Sequence, residues 1–370
     1  MDRIDKAGIY VHIPFCRSKC PYCDFYSLPS KKCDDEYVDA VCDEMKNLSR
    51  MKAFIPKGEK ISADTLYFGG GTPSLLSAAQ LEKLINTARE SFFLGDDSEI
   101  TLECNPSSEN LGEFLKSAAS FGVNRISLGM QSSSDRERRI LGRKGGTDSI
   151  AAAVNAAEKA GIDNISLDIM VGVPESNIGT LRESLDFAAT LGASHISAYI
   201  LKIEEGTYYY RNREKLKLPD EDETADMYLF MSQYLKEKGY FHYEVSNFCK
   251  DGAYSRHNMK YWDMIPYLGF GPGAHSFYGG KRFYFPRDIH SFIEGKPCEY
   301  DGEGGDDEEK LLLSLRTYKG ISLTDKSPQF IEKARFFEKN GFAQINGDNF
   351  SLLDKGYLLS NSIISELLMY

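Results

Sequence analysis

The sequence contains no apolar run near the ~18 residues that span a bilayer. Its amino-terminal segment, MDRIDKAGIYVHIPFC, has no long apolar stretch of the secretory kind. Positive charge is also in deficit: 44 Lys and Arg stand against 55 Asp and Glu, a formal net charge of −11. That balance disfavours non-specific attraction to nucleic acid or anionic lipid and excludes a nucleic-acid coat protein. Low-complexity tracts and internal repeats are absent beyond a βα rhythm. A cytoplasmic protein with reduced thiols is the expectation, with peripheral membrane contact left open.

What is present is a chain of 370 residues, 42% hydrophobic and 27% charged, the balance of a globular protein able to bury a sizeable core. At roughly 150 residues per domain, two or three domains are expected unless one barrel absorbs most of the length. Eight cysteines would suggest disulfides in a small secreted protein, which this is not. Three of them fall in CRSKCPYC, while Cys33, Cys42, Cys104, Cys249 and Cys298 are scattered.

Segments rich in β-branched and aromatic residues alternate with segments of helical period, the pattern of βα units on a parallel sheet. Strands are predicted near Gly8–Ile13, Thr65–Phe68, Glu99–Glu103, Arg125–Gly129, Asn164–Val171 and His195–Leu201, with helices near Asp35–Arg50, Ala78–Phe93, Glu109–Phe121, Ser149–Ala160 and Ile178–Leu191. Glycines in AGI and LGAS follow the last two of these helices, where left-handed backbone ends a helix. The fold class is therefore α/β, with residues 1–202 forming a partial (β/α)6 TIM-like barrel. Residues 203–300 read as a smaller α+β extension, with a helix over Asp222–Lys238 and antiparallel stretches at Tyr240–Phe248 and Phe277–Phe285. DGEGGDDEEK, residues 301–310, reads as an exposed linker or an acidic helix start. Residues 301–370 then give helix, helix, a hairpin turning at Asn346–Asp348 and a final helix, a winged-helix-like order expected to pack rather than bind DNA.

Cys16, Cys20 and Cys23 occupy the loop directly after the first strand, where barrel enzymes hold their reactive groups. Three thiolates so spaced can hold three corners of an iron–sulfur cube. With no local cysteine for the fourth corner, one iron is open to a small molecule, as when a cluster delivers an electron to S-adenosylmethionine (SAM). A structural zinc would want a fourth ligand, for which His12 and Cys33 are the near candidates. The scattered cysteines read as core residues.

GGGTP, Gly69–Pro73, ends the second strand, and its glycines allow a ligand close to free backbone groups. Later strand ends carry Glu103 in LECNP, Gln131 in GMQS and Asp168 in LDIMVGVP, with Arg143 beyond Gln131. Each alone could cap a helix; together they form a ring of donors and acceptors suited to a zwitterion, a ribose and a sulfonium. Asp168 could equally pair with Arg143.

YVHIPFCRSKCPYCDF resembles the signature of the radical SAM superfamily, and in particular of the group containing oxygen-independent coproporphyrinogen III oxidase (HemN) and the HemW heme chaperones. The resemblance implies a [4Fe–4S] cluster on Cys16, Cys20 and Cys23, with SAM as exchangeable ligand. It matches Tyr10, Tyr22, Gly70, Gly71, Thr72, Glu103, Gln131, Arg143 and Asp168 to SAM-contacting positions. The oxidase pattern carries a further cysteine two places after the third cluster cysteine, where this chain has Phe25, and a longer segment before the first strand. His257-Asn258-Met259-Lys260-Tyr261-Trp262, which includes the only tryptophan, resembles the HNxxYW motif of the heme chaperones. It implies heme contact through His257, Asn258, Tyr261 and Trp262, a neutral imidazole being a common heme ligand and aromatic faces suiting a porphyrin edge. A purely architectural role for His257 is the alternative. The resemblance thus implies a heme chaperone that hands heme to recipient heme proteins, with dimerisation linked to the cluster. The alternatives are a porphyrinogen oxidase, using the SAM-derived radical to decarboxylate propionates, and a zinc-stabilised barrel without radical chemistry.

Overall fold

The computed structural model describes residues 6–370. The expectation about the segment ahead of the first strand concerns residues 1–5, which lie outside the described residues. Six strands, β1 Ala7–Ile13, β2 Ala63–Gly70, β3 Glu99–Cys104, β4 Arg125–Gln131, β5 Asn164–Val171 and β6 His195–Ile200, lie side by side in sequence order. All five pairings are parallel. The helices that link them include α1 Asp35–Asn47, α2 Ala78–Phe92, α3 Leu111–Ser120, α4 Thr147–Lys159 and α5 Ile178–Thr190. Ser77 with Gln80 starts α2 in a reciprocal capping box, and Asn177 with Thr180 does the same for α5. Gly161 and Gly192 follow α4 and α5 with positive φ, as their sequence positions predict.

The strands alternate in a way that decides the interior. In β4, Ile126, Leu128 and Met130 are fully buried in the apolar core, while Arg125, Ser127, Gly129 and Gln131 line the lumen. Strand β5 repeats this with Ser166 and Asp168 inward and Ile165, Leu167 and Ile169 outward. The outward rows supply the hydrophobic stabilisation, roughly 1.5–3 kcal/mol for each fully buried large aliphatic side chain. The lumen is left polar.

Residues 203–300 do not form a separate layer. The hairpin β7 Phe241–Glu244 and β8 Asn247–Cys249 adds antiparallel to β6, whereas β9 Tyr267–Phe270 lies parallel to β1 at the opposite side. Strands β10 His275–Tyr278, β11 Lys281–Tyr284 and β12 Glu299–Glu303 continue from β9, completing one open sheet of 12 strands. The two antiparallel stretches therefore sit at opposite edges of the barrel sheet, joined to it by backbone hydrogen bonds that no local pattern announces. The segment also supplies α6 Glu221–Glu237, started by a capping box of Asp220 and Glu223, and α7 Arg256–Trp262. The acidic stretch at 301–310 is half edge strand and half helix start, with Asp306 capping α8 Asp307–Ser314. Beyond it, α9 Pro328–Lys339, a three-stranded antiparallel sheet and α10 Ser360–Leu367 follow, with Gly347 turning the hairpin.

Candidate functional site

The ends of β1 and β2 set the mouth of the lumen. Phe15–Cys16 pairs in parallel with Leu28–Pro29, so the chain carrying the three clustered cysteines is pinned at both ends. A cavity of about 660 Å³ runs from Cys16, Cys20 and Cys23 at the mouth to Arg125, Asn247 and Asn258 at the floor. Thr72 Oγ1 donates to Cys16 Sγ at 3.5 Å, and Arg143 Nη1 points to Cys20 Sγ at 3.8 Å. Such donors can share the negative charge of a metal-bound sulfur. Burial pushes the Cys23 thiol up, so metal must displace its proton.

The candidates for closing a zinc site are committed elsewhere. His12 shares Nδ1 with Tyr10 Oη at 3.0 Å and Nε2 with the Tyr26 carbonyl at 2.8 Å. Cys33 is buried, its thiol pushed up to about 12 by burial and then by Asp34. Among the described residues no three His, Cys, Asp or Glu side chains are gathered tightly enough for a single metal ion. Three half-buried thiols on one loop, open to a polar cavity, fit a cluster that spreads its ligands over several irons.

Tyr22, Gly70, Gly71, Thr72, Glu103, Gln131, Arg143 and Asp168 all line this cavity. Tyr10 does not; its hydroxyl is turned to His12. Glu103 accepts from Tyr67 Oη at 2.8 Å and from the Gly70 amide at 3.1 Å, and burial pushes its carboxyl up to about 7. Asp168 accepts from Ser127 Oγ at 2.8 Å, and burial pushes it up to about 6. Among the described residues Asp168 and Arg143 form no ion pair: Arg143 serves Cys20 and the Gly129 carbonyl. Gln131 has a positive φ of 67°, with Tyr199 Oη donating to its Oε1 at 2.9 Å. Gly70 and Gly71 are required by the chain itself. A Cβ on Gly70 would lie 2.4 Å from the His12 ring, and one on Gly71 would lie 2.6 Å from the Phe15 carbonyl oxygen.

The HNxxYW segment forms α7 beneath the barrel. His257 is 1% exposed; Nδ1 is hydrogen-bonded to Thr65 Oγ1 and Nε2 to Tyr261 Oη, each at 2.8 Å. Its ring stacks on Tyr67, and its amide donates to Glu99 at the start of β3. Burial lowers its pKa to about 3, with Lys260 and Arg125 adding to the effect. The imidazole is thus neutral and has no ring nitrogen free for iron. Of the four motif residues singled out, Asn258 alone lines the cavity.

Sequence reasoning at strand ends missed the deeper wall: Tyr67, Arg125, Ser127, Ser166, His195, Ser197, Tyr199 and Asn247. The signal was there in RISLGMQ, NISLDIM and HISAY, where polar and apolar residues alternate. A parallel strand covered on both faces is ordinarily apolar throughout, so period-two polarity marks a polar lumen.

The family model described as the radical SAM superfamily matches residues 10–188. The heme chaperone HemW of Mycobacterium tuberculosis is 34% identical over 98% of this chain and 94% of its own length. That of Bacillus subtilis is 35% identical over 90% of this chain and 86% of its own. The chain belongs to the HemW family of radical SAM proteins. Membership of the radical SAM superfamily implies a [4Fe–4S] cluster and SAM, which suit the cysteine loop and polar cavity. The HemW-family chain also shares its fold with the radical SAM enzyme coproporphyrinogen III oxidase (HemN) of Escherichia coli, at a TM-score of 0.79 and 21% identity over 98% of this chain and 90% of that one. Among the described residues no helix is long and apolar enough to cross a membrane.

Proposed function

We propose that this protein is a cytoplasmic heme chaperone that binds heme and passes it to recipient proteins. Likeness to HemW heme chaperones over 98% of the chain carries this reading. In the same proposal Cys16, Cys20 and Cys23 hold the cluster, and SAM lies against the glycine loop, Glu103, Gln131, Arg143 and Asp168. When bound, cluster and SAM supply one-electron chemistry. The chain's own part is to bind and orient. The Glu103 carboxylate, once ionised, receives an ammonium group beside the Gly70 backbone; Asp168 and Gln131 offer acceptors to hydroxyls; Arg143 offsets negative charge at Cys20.

Phe25, 64% exposed at the cavity mouth, presents an apolar ring where the oxidase pattern has a cysteine. The HNxxYW segment is assigned the architectural role, closing the barrel floor. Heme titration and coproporphyrinogen III turnover on one anaerobically reconstituted preparation test the proposal. Saturable heme binding without formation of protoporphyrinogen IX is expected; turnover would overturn the chaperone reading. Cys20→Ser should abolish iron uptake while the circular dichroism spectrum is retained. Global unfolding of that variant would instead indicate a structural metal.

A further inference from the structure

Arg125 opens β4 at the floor of the cavity, where it is 2% exposed. Among the described residues no hydrogen bond or ion pair engages its guanidinium, and its Nε is enclosed without a partner. Asn247 Oδ1, on the same floor, is likewise enclosed and unpartnered. Buried polar groups are almost always satisfied, and a buried cation is costly unless paired. The two orphans differ in kind: the Arg125 Nε–H is a donor that calls for an acceptor, whereas Asn247 Oδ1 is an acceptor that a hydroxyl, an N–H or water can satisfy.

The surrounding residues do not fill the gap. Glu103 is engaged with Tyr67 and Gly70, and Asp168 with Ser127 and Ser166; both feel the charge of Arg125 without touching it. His195 is held between Ser166 and Tyr243, and burial keeps it from becoming a second cation. The remaining floor is neutral, with Ser197 and the Asn258 amide facing the same space.

We propose that Arg125, with Asn258 on the same floor, is a carboxylate subsite that takes the acid group of a ligand whose body lies in the cavity. A guanidinium presents paired N–H donors that match the two oxygens of a carboxylate. Water could satisfy Nε but would bring no opposite charge. The acid group has two sources, a free short-chain carboxylate or the propionate arm of a tetrapyrrole. The subsite does not depend on heme transfer, since a chain that fails to carry heme still binds the free acid.

The test uses the full chain, reconstituted with iron and sulfide, without SAM and again at saturating SAM. Sodium propionate should raise the thermal midpoint above that in sodium chloride of equal ionic strength. Arg125→Gln should abolish the rise, and Arg125→Lys, which keeps the charge but loses the fork, should reduce it at least severalfold and serves if the glutamine variant does not fold. In parallel, mesoporphyrin IX and its dimethyl ester are titrated by fluorescence. A tenfold or greater loss of affinity in Arg125→Gln for the diacid but not the ester identifies the tetrapyrrole arm as source; a propionate response without that difference identifies the free acid. Equal responses of wild type and variant would leave only water on the floor and overturn the proposal. A propionate effect that SAM abolishes would also overturn it, by assigning Arg125 to SAM.

Discussion

Glu103 shows how a single side chain couples binding to stability. Its carboxyl moves from an ordinary 4.5 to about 7, so between these values the ligand-free folded chain holds a proton that the unfolded chain has released. Stability therefore falls as pH rises through this window, by about 3 kcal/mol in full. Glu103→Gln should make the fall in urea-denaturation stability between pH 4.5 and 7 shallower, leaving the share of Asp168 and Glu244, whose carboxyls burial also raises, while weakening SAM binding. An unchanged slope would place the proton elsewhere. At His257, removal of the ring leaves Thr65 and Tyr261 without their partner in a buried site. His257→Ala should cost about 2–4 kcal/mol in denaturant unfolding, with heme affinity unchanged. Loss of heme binding in a fully folded variant would restore the imidazole as a ligand. The motif was legible in the sequence, but its orientation was not, because a histidine on a short helix can face either a ligand or the core.

At the scale of elements, the cysteine loop depends on how β1 and β2 end. Gly71 donates its amide to the Ile13 carbonyl at 2.9 Å, with no room for a Cβ. Gly71→Ala should splay these ends at a cost of about 1–3 kcal/mol and lower the iron incorporated per chain on reconstitution. Full iron loading would show that the loop tolerates the shift. Glycines in GGGTP read as room for a ligand; packing shows that two of them are needed first by the neighbouring strand. The six parallel strands and their helices were legible because each carries its own period and caps. The alternation within β4 and β5 is equally visible in the sequence, but a polar residue that opens a strand, as Arg125 does, looks locally the same as a solvated strand start.

Across the whole molecule, the carboxy-terminal unit is fastened to the barrel side through Asp354. Lys236 Nζ and His242 Nδ1 donate to its carboxylate at 2.6 Å and 3.1 Å. Burial opposes the charge on Asp354, but these two partners outweigh it and hold the carboxyl below the usual range. That contribution is present above the ordinary carboxylate pKa and is lost as pH falls below it. Asp354→Ala should cost about 1.5–3 kcal/mol and speed proteolysis between residues 301 and 327, measured by mass of the fragments. Cleavage at the wild-type rate would show that apolar packing alone fastens the unit.

Local order in the chain was enough for the βα rhythm, the cysteine loop and the polar strand ends, because turn chemistry, periodicity and ligand spacing act over a few residues. Long-range pairing lay beyond it. That β8 and β9 extend opposite edges of one sheet follows from hydrogen bonds between segments far apart in sequence. That α7 plugs the floor with His257 as a neutral strut, and that Arg125 stands in the lumen without a hydrogen-bond partner among the described residues, are results of packing. Burial and partner count are properties of the folded surroundings, and those surroundings exist only once distant strands have met.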